Sequence, residues 1–520
     1  MSGSPYNLAA VLEARAAGGG WSGDVAFLAG ERVVTHAGAH DGAARAASLL
    51  TALGVGRGDR VLIAVPDGVE FVWAFLGAVR AGAVAVPVNP RLTAADHRAA
   101  AIDAGARMVV CSTDLAERFE DRVVVTADEL ESAFAGRPPL PPADMAPGDA
   151  AYAQYTSGTT GSPKAAVHAH GDPLVYFEAF ALPAIAVRRA DVLLSVSKLY
   201  FAYGLGNSLF FPLLAGCRAV LDAAHPRPDD IAELVRRRGV TVLFSVPTFY
   251  AHLVASGRPE AFATVRAAVS AGEALNVALA ERARKLLDCP ILDGLGSTEV
   301  GQTFASNTLA HWRDGTVGRA LPPYRVCVRD GRGRTLAPGR PGVLWVSGPT
   351  LPLGYLGPPA RLAVPGTGDA TGGEWLCTGD RAELDGDGFV HLRGRVDDLE
   401  MVGGISVSPL EIEAVLSRHP AVTEVAVAGV LGPDGASRLA AFVVPATPAA
   451  TGTLVEELVA LARSELAPFK VPRSVLLVEA LPRTPTGKLR RFVLRNGTWG
   501  AQAVGPRPAP QPVRSPKRVV

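Results

Sequence analysis

An α/β protein is predicted from three observations on the amino-acid sequence. Runs such as 60–65, 84–88 and 108–111 are apolar throughout rather than alternating, which is the pattern of parallel strands buried on both faces. Alanine-rich stretches of helical length, such as 69–80, separate these runs. The same alternation returns at 219–221, 241–244 and 267–270, and the 520-residue chain exceeds one ordinary core, so two or more domains are expected.

Composition narrows the function classes. Apolar residues make up 48% of the chain, enough for large cores, and 56 glycines with 41 prolines fall short of low complexity. A net charge of +1 supplies no global attraction to nucleic acid or acidic membranes, so neither is an expected partner. The five cysteines (Cys111, Cys217, Cys289, Cys327, Cys377) are scattered, odd in number and without paired spacing, which fits free, mostly buried thiols in a reducing compartment. Residues 1–10 carry neither a basic stretch nor an apolar core, so a cytoplasmic protein without a signal peptide is expected. Residues 199–217 are uncharged and long enough to cross a bilayer. Gly204, Gly206, Asn207, Ser208, Pro212 and Gly216 within them point instead to loop and short elements forming a buried, aromatic-rich pocket wall.

The texture changes after about Arg313. Turn signals become dense (Asp330-Gly331, Pro338-Gly339, Pro341-Gly342, Asp385-Gly386, Asp387-Gly388), as expected of hairpins in a small β-rich subdomain. A second change at Arg395-Val396-Asp397-Asp398 precedes a compact unit: helix 409–418, strands 422–430 and 439–444, helix 454–466. The expected organisation is an N-terminal domain over 1–395, a small C-terminal domain over 396–500, and a proline- and arginine-rich tail, 501–520, without fixed structure.

The most informative segment is Tyr155-Thr156-Ser157-Gly158-Thr159-Thr160-Gly161-Ser162-Pro163-Lys164. Its glycines let several N–H groups point into one concavity, which is how backbones hold phosphate oxygens. Five Ser/Thr hydroxyls and Lys164 add donors and a mobile positive charge. The spacing differs from that of P-loop NTPases, because Ala165 stands where their magnesium-binding hydroxyl belongs.

Four further motifs follow in order: Leu295-Gly296-Ser297-Thr298-Glu299, Thr378-Gly379-Asp380, Gly394-Arg395-Val396-Asp397-Asp398 and Pro485-Thr486-Gly487-Lys488. Together with the loop they resemble the acyl-adenylate-forming superfamily of acyl- and aryl-CoA ligases, peptide-synthetase adenylation domains and luciferase, from about Asn7 to Arg495. The resemblance implies a large N-terminal domain of stacked mixed and parallel sheets with helices plus a β-rich subdomain, and a small, mobile α+β C-terminal domain. It also implies ATP, Mg2+ and coenzyme A as cofactors.

Adenylation joins a carboxylate to the α-phosphate of ATP, two anions that repel, so charge must be neutralised while geometry is held in line. Carried across from the family, Thr298 and Glu299 lie near phosphates and metal, with Glu299 the magnesium ligand through hard oxygens. Thr156, Ser157, Gly158, Thr159, Thr160, Gly161 and Lys164 hold the triphosphate, and Gly272, Glu273, Asp293, Gly294, Leu295 and Arg395 complete the nucleotide site. Asp380 matches the ribose-binding aspartate, Lys488 the lysine that bridges carboxylate and α-phosphate, and Asp397 the hinge between the two half-reactions. A thiol is then admitted past Gly403 and Gly404. Two departures stand out: Leu295 replaces the tyrosine many relatives stack on adenine, and Met401 replaces a lysine of some aryl-CoA ligases.

Residues 198–207, 293–299 and 407–413 look closest to benzoate–CoA ligases, which implies an aromatic carboxylic acid between Phe201, Ala202, Tyr203, Gly204, Ser270 and Ala271. Gln302 could read a ring hydroxyl or amine. The final acceptor stays open between coenzyme A and a carrier-protein phosphopantetheine, the acid between aromatic and bulkier non-aromatic, and the assembly between monomer and homodimer. A nucleotide-binding protein without catalysis is disfavoured by Lys164, Glu299, Asp380 and Lys488 occurring together. Ser195-Val196-Ser197-Lys198 matches Ser-x-x-Lys hydrolases but lacks their Lys-Thr-Gly, and His168-Ala169-His170 lacks a third metal-ligand cluster, so a structural role is read there.

Overall fold

Each apolar run of the first half becomes a strand with a neighbour on either side. The computed structural model describes residues 6–156, 164–224, 227–357, 375–398, 400–402, 405–431, 437–447, 451–483 and 489–495. The chain divides into two compact units, one comprising Met1–Asp398 with Arg483–Lys488, the other Leu399–Pro482 with Leu489–Val520.

Among the described residues, the first unit contains a nine-stranded sheet. Its spatial order is Arg319–Ala320, Thr303–Ser306, Ile291–Gly296, Ala267–Ser270, Val242–Ser245, Val192–Ser195, Arg218–Leu221, Val25–Ala29 and Arg32–Thr35. The six strands from Ile291–Gly296 to Val25–Ala29 run parallel, and antiparallel strands close both edges. A seven-stranded sheet has the order Gly354–Tyr355, Ala165–Ala169, Ala150–Tyr155, Val84–Pro87, Arg60–Ala64, Met108–Cys111 and Val123–Thr126. The phosphate loop therefore connects the antiparallel hairpin Ala150–Tyr155 and Ala165–Ala169, and Ser157 to Gly161 within it lie outside the described residues. A four-stranded antiparallel sheet (Arg325–Arg329, Gly342–Ser347, Leu376–Leu384, Val390–Arg395) carries the Asp-Gly turns. In the last of them the Asp385 carboxylate accepts from Asp387 N (3.0 Å) and Phe389 N (2.9 Å).

The helix Val69–Arg80 buries every residue except Glu70, the signature of a helix covered on all sides. Cys111, Cys217, Cys289 and Cys327 are free and buried, and Cys377 is free and exposed.

Residues 202–215 correct one expectation. They are not loop but continuous helix: Ala202–Leu205, a π-helical turn Gly206–Phe210, and Phe211–Ala215. Pro212 has no N–H and would crowd the carbonyl one turn earlier, and the widened turn before it absorbs that defect. The glycines mark close approaches rather than chain reversals. A Cβ at Gly204 would stand 2.0 Å from Lys198 O, and one at Gly206 2.0 Å from Gln302 Nε2. No helix among the described residues is long and apolar enough to cross a membrane.

In the second unit, strands Val422–Leu431 and Ser437–Pro445 pair antiparallel and Ser474–Leu477 joins parallel. Helices Pro409–Leu416 and Thr451–Glu465 contribute Ile412, Leu416, Leu454 and Leu458 to its core. Glu413 pairs with Arg491 inside this unit, and Val427 joins both, its N–H donating to Glu413 Oε1 (2.6 Å) and its carbonyl accepting from Arg491 Nη1 (2.6 Å). Removing one member strands a buried charge, so Glu413→Ala is expected to destabilise this unit by about 3–5 kcal/mol in a urea titration. A loss below about 1 kcal/mol would mean the pair is solvated.

Candidate active site

Two neighbouring parallel strands end level, Ser245 in register with Ser270, and the parallel pairing of the third, Ile291–Gly296, stops at the same level, Ser270 opposite Asp293. Ligands of open α/β sheets bind beyond such carboxyl ends. The last strand, Ile291–Gly296, reverses through residues 297–302 into Thr303–Ser306, and this reversal carries Thr298 and Glu299.

The backbone of that turn is held from several directions. Thr298 O accepts from Gly301 N (3.2 Å) and from His168 Nε2 (2.8 Å). Val300 N donates to Ser297 Oγ (3.2 Å), and Val300 O accepts from the Thr350 hydroxyl (2.7 Å), itself 2.9 Å from the Tyr324 hydroxyl. Gly301 has φ +85°, which a β-carbon would strain. Glu299 itself is partly exposed, and its carboxylate has no hydrogen-bond or ion-pair partner among the described residues.

Lys164 is exposed at the end of the phosphate loop, whose mouth is closed by Thr156 N donating to Lys164 O (2.7 Å). Its Nζ lies 5.7 Å from the centre of the Tyr355 ring. Burial, then the charge of Glu299, pushes the Tyr355 hydroxyl up to about 12, which places Tyr355 within the electrostatic reach of both groups. Tyr355 sits on a two-residue strand paired with Ala166, too short to register as an element in sequence.

Asp293 is buried, and burial pushes its carboxyl well above the usual range, against the pull of the Ser270 hydroxyl and the N–H groups of Gly294 and Leu275. Gly294 and Leu295 pair with Ser306 and Ala305 of the returning strand. Ala271 N donates to Ser245 O (3.3 Å), and Gly272 follows with φ +90°. Glu273 is already engaged. Its Oε2 accepts from Thr248 N (3.1 Å) and the Thr248 hydroxyl (2.6 Å) at the start of helix Pro247–Ser256, and Oε1 lies 2.7 Å from Arg483 of the same unit.

The helical wall gathers Phe201, Ala202, Tyr203 and Gly204 beside these strand ends. The Tyr203 hydroxyl donates to Val269 O (3.3 Å), and its ring meets Phe244 edge-on at 6.2 Å. The Phe201 ring stands edge-on to Tyr200 at 4.5 Å. Gln302, 2% exposed, faces the π-helical turn. Its Nε2 is 3.4 Å from Tyr203 O and 3.5 Å from Asn207 Oδ1, while Oε1 accepts from Thr303 N (3.1 Å). Leu199 N, ahead of this wall, donates to Asp67 Oδ1 (3.0 Å).

Asp380 pairs in register with Arg395, its Oδ1 3.3 Å from Arg395 Nη1 and its N–H on the Thr378 hydroxyl (3.0 Å). Asp397 falls on the short helical turn Val396–Asp398. Gly403, Gly404 and Lys488 lie outside the described residues. Sequence reasoning missed Tyr355, Thr350 and Thr248, which sit in no motif. It noticed His168 but assigned it no contact.

The AMP-binding enzyme model matches residues 13–356 and the AMP-binding enzyme C-terminal domain model residues 411–488. The chain belongs to the AMP-binding enzymes, the AMP-forming acid–thiol ligases of the acyl-adenylate-forming superfamily. A p-hydroxybenzoic acid–AMP ligase of Mycobacterium tuberculosis is 44% identical over 94% of this chain and 68% of its own length. Benzoate–CoA ligase of Thauera aromatica is 37% identical over 86% of this chain and 88% of its own. Among solved structures, a benzoate CoA ligase from Burkholderia xenovorans is 34% identical with a TM-score of 0.86, over 94% of this chain and all of its own. An anthranilate CoA ligase in complex with anthranoyl-AMP is 28% identical with a TM-score of 0.89, over 96% and 98%.

Asp67 yields a pH prediction. It is 6% exposed, and burial raises its carboxyl to about 7 against the attraction of Lys198. The folded protein then holds this proton more tightly than the unfolded chain. The stabilisation is complete below about 3.8 and is lost as pH rises through about 7. Asp67→Asn is expected to flatten the fall in melting temperature between about pH 4 and pH 7. An unchanged slope would mean that Asp67 is ionised throughout.

Proposed function

We propose that this enzyme activates an aromatic carboxylic acid with ATP and then transfers the acyl group to the thiol of coenzyme A. The observation that carries the reading is the Glu299 turn, whose Thr298 and Val300 carbonyls are both held by hydrogen bonds while the Glu299 carboxylate has no partner among the described residues. Such a carboxylate suits a hard cation, and no cluster of three or more ligating side chains occurs among the described residues. That fits Mg2+, which binds through one or two carboxylates plus substrate phosphates and keeps its waters. When bound, Mg2+ neutralises phosphate charge.

In this reading Lys164 and the loop from Thr156 grip the triphosphate, and Thr298 and Glu299 face the phosphates and the metal. Asp380, steadied by Arg395, accepts from the ribose hydroxyls, and Leu295 lies against the adenine with Gly272, Asp293 and Gly294. Glu273 acts by fixing Thr248 and the strand end rather than by touching nucleotide. Lys488 bridges carboxylate and α-phosphate, Asp397 is the hinge, and the thiol passes Gly403 and Gly404. The carboxylate attacks the α-phosphorus and pyrophosphate leaves; the thiol sulfur then attacks the acyl carbon and AMP leaves.

The acid lies between Phe201, Ala202, Tyr203, Gly204, Ser270 and Ala271, with Gln302 toward a ring substituent. Relatives named for benzoate, 4-hydroxybenzoate, 3-hydroxybenzoate and anthranilate support a single substituted ring. A carrier-protein phosphopantetheine is the second reading for the acceptor, favoured by a relative named as an AMP ligase rather than a CoA ligase. The free cysteines favour a cytoplasmic setting, with a monomer or homodimer as the working assembly.

Pyrophosphate exchange over a panel of hydroxylated, aminated and unsubstituted benzoates, with alicyclic acids as comparison, is expected to be supported by aromatic acids. Exchange with none of them would remove the reading. Lys488→Ala should lower exchange about 10²–10³-fold. Gln302→Leu should move preference from hydroxybenzoates toward benzoate by about tenfold, the cost of an unpaired polar group. Incubation with coenzyme A and, separately, a holo carrier protein decides the acceptor.

A further inference from the structure

The structure assigns to His168 the task of fixing the Glu299 turn against strand Ala165–Ala169, the strand that follows Lys164. His168 lies on Ala165–Ala169, the strand that leaves the phosphate loop, four residues beyond Lys164. Thr298 belongs to the turn 297–302 of the nine-stranded sheet, so one imidazole joins a strand of one sheet to a turn of the other. The carbonyl of Thr298 can only accept, so His168 Nε2 donates, at 2.8 Å.

The ring has no freedom to drift. It is 0% exposed and stacks on Tyr152, its register partner, at 5.0 Å and 23°. Asp172 Oδ2 lies 3.3 Å from Nδ1 and is itself fixed by Ala169 N (3.0 Å). On the far side the turn backs onto the ring through Gly301, where an added β-carbon would stand 3.2 Å from His168 Cε1. Thr350 holds the same turn at Val300 O from the opposite flank. A buried histidine satisfied by its own strand would do none of this. Here the hydrogen bond joins residues 130 apart in sequence, and its acceptor is the residue before the proposed metal ligand. Thr298 O also accepts from Gly301, so the turn can persist without the histidine, but displaced. His168 is thus a positioning residue: it touches neither metal nor nucleotide.

The inference rests on Glu299 as the metal ligand, and the experiment separates the two claims. Mn2+ binding to the enzyme–ATP complex is titrated by electron paramagnetic resonance without any acid present, and adenosine, which carries no phosphate, is titrated in parallel. His168→Leu is expected to weaken Mn2+ binding about 10–100-fold, as loss of a residue orienting a metal ligand does. Adenosine affinity should stay within about twofold, and His168→Gln, which restores a donor, should recover most of the metal affinity. Wild-type Mn2+ affinity in His168→Leu, or equal loss of metal and adenosine binding, overturns the inference. Glu299→Gln is the reference. If it weakens Mn2+ binding and His168→Leu does not, only the role of His168 falls; if Glu299→Gln leaves Mn2+ binding intact, the metal assignment falls and the inference with it.

Discussion

Two peptide carbonyls, those of Thr298 and Val300, are what the site depends on. A tight turn at the edge of a ligand cavity presents polar backbone that water cannot serve once substrate fills the cavity, and unpaired groups there are costly. In this chain each carbonyl is claimed by a side chain from elsewhere in the unit, His168 on one and Thr350 on the other. With these carbonyls held, the partly exposed Glu299 carboxylate has no partner among the described residues. The same economy appears at Glu273, which secures the start of a helix and leaves the neighbouring strand end open.

The parallel core makes this arrangement possible. Ser245, Ser270 and Asp293 stand level because the strands bearing them are in register, and the chain beyond each lies at the same end of the sheet. Against that end lies the helix of residues 202–215, distorted by Pro212 into a π-helical turn and brought close by Gly204 and Gly206. The widened turn puts Asn207 and Gly206 against Gln302, so helix 202–215 and the strand that returns from the Glu299 turn share a boundary.

Much of the fold was legible because burial on both faces writes itself into composition. The strands at Met108–Cys111 and Ala267–Ser270 and the helix Val69–Arg80 occur where their apolar runs place them. The Asp-Gly turns were legible for a different reason, since Asp385 bonds its own following backbone. Residues 202–215 were misread because glycine has two uses, reversal and close approach, and only the neighbour across the gap tells them apart. Lys164, Glu299 and Asp380 stand out in the sequence because each sits in a short motif, and their roles belong to the proposed function. Tyr355, Thr350 and the contact of His168 do not, because each acts on a residue far away in sequence.

The sequence by itself determined the α/β class, the order of the phosphate, metal and ribose motifs, and the AMP-binding family. These follow from local periodicity and from short spacings that a single loop can satisfy. Only the tertiary structure decided which side chains hold the Glu299 turn in place, that Glu273 is paired while Glu299 has no partner among the described residues, and that one histidine joins two sheets. Those facts depend on hydrogen bonds between segments as much as 130 residues apart, and no local pattern encodes a distance that only the packed core imposes.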